Sequence, residues 1–161
     1  MRQSGKLPRV PWISSDGSLD FSKIPLDAVA RQAFSGSDSE ARGACSVLGQ
    51  VAAAGRPDAT TFLLGLLRWY RGDLSRLNCV VDALGFIPTS EAADALADEL
   101  RRVESSNSTR SYLNNVLKAL SKLPQDLAQP RLEALASEPG FSAKLKVKFR
   151  RAAEELKWRG I

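Results

Sequence analysis

The chain has no histidine, and only two cysteines and one methionine in 161 residues. Without histidine there is no Ser-His or Cys-His pair to activate a nucleophile, and the commonest zinc ligand is missing. No cysteine pair or tight carboxylate cluster replaces it, so hydrolytic and metal-centred chemistry is disfavoured, and no cofactor or metal is expected. Cys45 and Cys79 lie inside apolar helical patterns, not at the spacings of a disulfide framework. Two reduced, buried thiols are expected, with a reactive thiol or a bridge as the alternative. No apolar run approaches the roughly 18 residues that a spanning helix needs. The opening MRQSGKLPRVPW is positively charged but is not followed by an apolar stretch, unlike a secretory signal. A cytoplasmic protein with no membrane association is the expectation. Strand signals are nearly absent.

What is present is an ordinary folding composition, 43% apolar and 25% charged, at a length that suits one domain with a continuous core. The formal charge of +5 is unevenly placed. Residues 1–100 carry 10 Lys or Arg against 12 Asp or Glu, whereas residues 101–161 carry 13 against 6. Only the C-terminal part is therefore attractive to polyanions.

The strongest pattern is a recurrence. The phrase ALGFIP at residues 83–88 is echoed by ALSKLP at 119–124, 36 residues later. Stepping by 36 from Leu84 gives Leu48, Leu120 and Leu156. Seven residues earlier stand Ala41, Leu77, Leu113 and Phe149; four earlier, Ala44, Val80, Val116 and Ala152. Three residues after the leucine come Val51, Ile87 and Leu123, and then Arg159, where the row breaks. Offsets of −7, −4, 0 and +3 form one helical face.

Between these stripes lies a second set of helical segments, at 25–35, 57–71, 90–104 and 126–137. Pro57 suits a first turn, Thr89 and Ser90 suit a cap, and Pro130 suits a kink or a late start. Ser-Gly-Ser, Arg-Gly-Asp, Ser-Ser-Asn-Ser and Glu-Pro-Gly clusters separate the members of each pair. Pro88 and Pro124 close the second helix of their units. The expectation is all-α: a right-handed α-α superhelix, or solenoid, of about four hairpins with a 36-residue period. One hairpin cannot cover its own apolar stripe, and stacking supplies the shared core. Residues 1–24 read as an extended N-terminal arm whose Trp12 caps the first hairpin, and 25–161 as the repeat domain.

The segment Asp38-Ser39-Glu40-Ala41-Arg42-Gly43-Ala44-Cys45-Ser46-Val47-Leu48-Gly49 resembles the second helix of a short HEAT-like repeat of the phycobilisome-lyase type. The matching features are the acidic cap, the Glu-aliphatic-Arg opening, the small residue at 44 and the closing Leu-Gly. The unit Leu77–Gly85 keeps the Leu-Gly but has Asn78 for the arginine; the third has Asn114, and the fourth regains Arg150 and loses the glycine. The resemblance spans about residues 25–159. It implies an armadillo-like α-solenoid, and a range of functions from scaffolds and bilin-lyase subunits to DNA-repair glycosylases.

Candidate binding residues follow from the rows that lie off the buried stripe. One row reads Arg42, Asn78, Asn114 and Arg150; a second, Ser46, Asp82, Lys118 and Glu154; a third, Gln50, Phe86, Lys122 and Trp158. On a groove lined by the second helices, these amides and charges would hydrogen-bond a partner protein, with Phe86 and Trp158 as aromatic anchors. The bland alternative assigns the Asn and Arg row to inter-repeat or cap contacts and makes the aromatics packed edges. A non-enzymatic protein-binding scaffold is the leading expectation. Lys144, Lys148 and Arg151 on the last helix offer an alternative nucleic-acid or polyanion face, although the pairs Arg150–Glu154 and Arg151–Glu155, each one turn apart, are expected to offset two of the charges. An enzymatic role would rest on Asp82 alone.

Overall fold

The computed structural model describes residues 10–159; residues 1–9 of the expected arm, and residues 160 and 161, lie outside the described residues. Among the described residues there are eight α-helices and no strand beyond an isolated bridge between Ile13 and Leu19. In chain order they are α1 (Leu26–Ser35), α2 (Asp38–Ala53), α3 (Pro57–Trp69), α4 (Leu74–Leu84), α5 (Ser90–Arg102), α6 (Arg110–Lys122), α7 (Gln125–Ser137) and α8 (Ala143–Arg159).

Local chemistry sets the helix starts. The side chains of Ser37, Asp73 and Thr89 accept from the backbone N–H groups of Glu40, Arg76 and Ala92. Each satisfies one of the four donors that a helix leaves unpaired at its start. Pro57 occupies the first turn of α3, where its missing N–H costs nothing. Pro130 lies inside α7, which begins five residues before it and continues to Ser137. It neither starts nor ends that helix.

The helices pair in sequence and then pack in two layers. α1, α3, α5 and α7 contact one another in order, and so do α2, α4, α6 and α8. The apolar rows are the filling between the layers. Leu48, Leu84, Leu120 and Leu156 are all buried, as are Ala41, Leu77, Leu113 and Phe149. Burying each such leucine stabilises the fold by about 1.5–3 kcal/mol. Arg159, where the sequence row broke, is exposed, and Ala152 is half-buried.

Two glycines set how closely the second helices approach. A Cβ on Gly49 would lie 3.0 Å from the Ala83 Cβ, and one on Gly85 would lie 3.1 Å from the Ala119 Cβ. Thus α2 meets α4, and α4 meets α6, at a Gly–Ala contact. The corresponding residues 36 further on are Ser121 and Glu155. There α8 packs chiefly on α7 and sits more loosely against α6.

Polar side chains tie the units across similar sequence distances. Arg76 Nε donates to Asp38 Oδ1 at 2.9 Å, Arg131 Nε to Asp94 Oδ1 at 2.7 Å, and Arg101 Nε to Glu138 Oε1 at 2.8 Å. In the buried interior the Tyr70 hydroxyl donates to the Ala33 carbonyl. Its neighbour Trp69 is exposed, sits edge-on to Phe34 and donates Nε1 to the Phe34 carbonyl at 3.3 Å. Glu99 is the one buried charged side chain among the described residues. Arg102 donates to both of its carboxylate oxygens at 2.8 Å, and the Tyr112 hydroxyl donates to Oε2 at 2.6 Å. That set of bonds compensates the cost of removing a carboxylate from water.

The described part of the N-terminal segment is more structured than an extended arm. It makes a turn closed by the Ile13–Leu19 bridge, then a short 3-10 helix (Phe21–Lys23) that packs on α2. Phe21 and Ile24 pack against the core, while Trp12 is half-buried. Arg56 Nη1 donates to the carbonyls of Phe21 and Ile24 at 3.2 and 2.5 Å. That guanidinium clamps the segment to the start of α3.

Candidate binding groove

The small residues that admit one second helix to the next also leave a hollow beside the contact. Between α2 and α4 lies an open groove of about 880 Å³. Its floor is Gly49, Ala53, Ala83 and Cys79, and its walls carry Arg42, Ser46, Gln50, Asn78, Asp82 and Phe86. The three sequence rows therefore converge in their first two units, because residues at i, i+4 and i+8 share a helix face.

Polar groups in the groove are partly tied and partly available. Asn115 Nδ2 donates to Asn78 Oδ1 at 2.9 Å and to Asp82 Oδ1 at 3.0 Å. These two bonds fix the wall where α4 meets α6, and for Asn78 this is the inter-repeat contact that the bland alternative gave its row. They leave the Asn78 Nδ2 donor and the second Asp82 carboxylate oxygen for other partners. Arg42 is exposed and has no ion-pair partner among the described residues. Phe86 is 65% exposed, and Lys122 Nζ lies 5.0 Å from its ring centroid. The Phe86–Lys122 contact carries the groove surface from α4 onto α6, where Asn114, Lys118 and Lys122 follow at helical spacing.

The cysteines differ. Cys45 is buried, and that burial pushes its thiol up to about 12. Cys79 is half-buried, in the groove floor, with its thiol donating to the Ser75 carbonyl at 3.5 Å. The expectation of two buried thiols thus holds for Cys45 alone. An apolar helical stripe in the sequence does not distinguish a core position from a groove floor.

The row expectations weaken towards α8. Arg150 is exposed, but the α8 side chain that meets Asn114 is Lys148, whose Nζ donates to Asn114 Oδ1 at 3.3 Å. The buried row nevertheless keeps its step, since Phe149 and Leu156 remain in the core. Trp158 is 76% exposed and outside the groove between α2 and α4. A second hollow, of about 520 Å³, lies between α6 and α8, lined by Leu113, Asn114, Leu117, Phe141, Leu145 and Lys148 among others. Of the three candidate rows, only Asn114 lies in it.

On the proposed polyanion face, Lys144 is exposed, Lys148 is taken by Asn114, and Arg151 Nε donates to Glu155 Oε1 at 3.1 Å, whereas the expected Arg150–Glu154 pair does not form among the described residues. No group of three or more His, Cys, Asp or Glu side chains suited to a metal occurs among the described residues, and no described helix is long and apolar enough to cross a membrane. No family model, curated protein or solved structure matches this chain.

Proposed function

We propose that the chain is a non-enzymatic protein-interaction module. In this reading it is a HEAT-like, right-handed superhelix of four 36-residue hairpins that holds a partner protein in the groove lined by the second helices. The observation that carries the reading is the groove between α2 and α4, with an exposed phenylalanine and uncommitted donors and acceptors around a small-residue floor. Helix-borne groups of this kind are held in place before binding, so association costs little ordering entropy. Exposed aromatics at the edge of such a hollow are the usual energetic centres of an interface. Arg42, Asn78, Asp82 and Phe86 form the core of the proposed contact; Asn114, Lys118, Lys122, Arg150 and Trp158 extend it.

The test is affinity capture by the wild-type chain, by Phe86→Ala with Arg42→Glu, and by a control changed at exposed Glu91 on α5. A defined protein retained by wild type and control but lost by the groove variant is the expected result. Equal retention by all three would remove the groove from the function. Scoring nucleic acid in the same eluates addresses the second reading, contact of a polyanion with Lys144, Lys148 and Arg151. That reading predicts retention that collapses between about 50 and 200 mM salt.

A further inference from the structure

We infer that the partner segment is acidic and extended, with an apolar anchor near one end; this rests on the groove reading above and names its occupant. The basis is a separation of charge between the two layers of helices. On the groove side, α6 and α8 carry ten Lys or Arg and two Glu, and α6 has no acidic residue. Behind them, α5 and α7 carry three Arg and six Asp or Glu. The C-terminal excess of positive charge thus lies on the helices of one layer.

The two layers also differ in what their charges touch. Behind, Asp94 pairs with Arg131, Asp98 with Arg101 and Glu99 with Arg102; two α8 cations are paired as well, Lys157 with Glu133 of α7 and Arg151 with Glu155. In front, Lys118, Lys122 and Arg150 are exposed and have no carboxylate in ion-pair range among the described residues. Unpaired cations aligned on one surface steer and orient an anionic partner.

The Phe86–Lys122 contact marks where the chemistry changes. On one side is the small-residue floor between α2 and α4; on the other is the basic stretch over α6 and α8. Helix axes pack about 8–10 Å apart, so the path from α2 to α8 is about 30 Å. An extended chain covers that in about ten residues. Its first third would place an apolar side chain beside Phe86, and its remainder would lay carboxylates along Lys118, Lys122 and Arg150. A nucleic acid fits less well, because its phosphates recur at every step. Two carboxylates interrupt this surface, Asp82 in the groove and Glu154 on α8, and a peptide can set a neutral residue opposite each.

The test uses a fluorescein-labelled peptide of about ten residues, with one Phe in its first third and Glu in its second half. Its partners in the experiment are a version with Lys for Glu and a single-stranded oligodeoxynucleotide of equal length. Binding is read by anisotropy against wild type, Phe86→Ala and the double variant Lys118→Glu with Lys122→Glu. All three changed side chains are exposed, and a melting curve verifies folding. The acidic peptide should bind, weaken about tenfold or more with either variant, and outcompete the oligonucleotide. It should also slow alkylation of Cys79 in the groove floor. Equal or tighter binding of the Lys peptide overturns the acidic assignment, and so does failure of the acidic peptide to bind. Tighter binding of the oligonucleotide, unaffected by Phe86→Ala, overturns it in favour of nucleic acid. If the Lys peptide wins and still protects Cys79, only the acidic character falls; if the acidic peptide binds without protecting Cys79, the groove reading falls with it.

Discussion

Gly85 faces Ala119 so closely that a Cβ added at residue 85 would sit 3.1 Å from the alanine Cβ and 3.2 Å from its Cα. Gly49 and Ala83 stand in the same relation one unit earlier. Helix propensity alone would favour alanine at Gly49, by about 1 kcal/mol. Crowding against a packed backbone works the other way, by about 1–3 kcal/mol. Gly49→Ala should therefore lower the midpoint of thermal unfolding. Gly43→Ala, in the same helix but with open space around it, should raise it. Calorimetry of the two variants separates packing from propensity.

Leu84 is fully buried between the layers. Its replacement by alanine should cost about 2–5 kcal/mol, including the cavity left behind. Urea unfolding followed by circular dichroism reads this directly. The same substitution at Leu19, which is 51% exposed, should change the midpoint little.

The Glu99 site gives a graded series. Glu99→Ala leaves the buried Tyr112 hydroxyl without its acceptor and Arg102 without its carboxylate, and should cost about 3–5 kcal/mol. Tyr112→Phe removes one bond to a charged group and should cost about 1–3 kcal/mol. The double variant should cost less than the sum, because both changes break one network.

Stability should be flat from about pH 6 to 8, since no histidine titrates there. On the alkaline side burial raises three groups: the Cys45 thiol to about 12, the Tyr70 phenol to about 12, and the Tyr112 phenol as well. In the unfolded chain thiols lose their protons near 8.5 and phenols near 10. The native state thus holds protons that the unfolded state releases, so stability is full below about pH 8.5 and declines as pH rises towards about 12. Urea midpoints across this range measure the slope. Cys45→Ala should remove the part of the decline that begins near pH 8.5.

Much of the helix plan was legible in the sequence because apolar spacing and breakers are local signals. The segments at 25–35, 57–71 and 90–104 appear as α1, α3 and α5 within two residues of their expected bounds. Pro57 and Thr89 act where their chemistry places them. The groove was legible in part, since rows of step 36 bring Arg42, Asn78, Asp82 and Phe86 together. Three features were not legible. Lys148, which belongs to none of the three rows, hydrogen-bonds Asn114, because repeat spacing does not say which long side chain reaches a neighbouring helix. Cys79 floors the groove, a placement decided by which flank of α4 remains uncovered. The charge separation between layers emerges only once each helix is assigned to one side.

The Gly–Ala contacts make the first three hairpins stiff, since neighbouring backbones nearly touch and cannot slide without collision. Ser121 and Glu155 stand at the next such point, and α8 sits more loosely against α6 there. At that joint the ties lie in the other layer, where Arg131 reaches Asp94 and Arg101 reaches Glu138. The stack thus changes its means of cohesion along its length, from backbone nearness among α2, α4 and α6 to ion pairs that bind the last hairpin from behind.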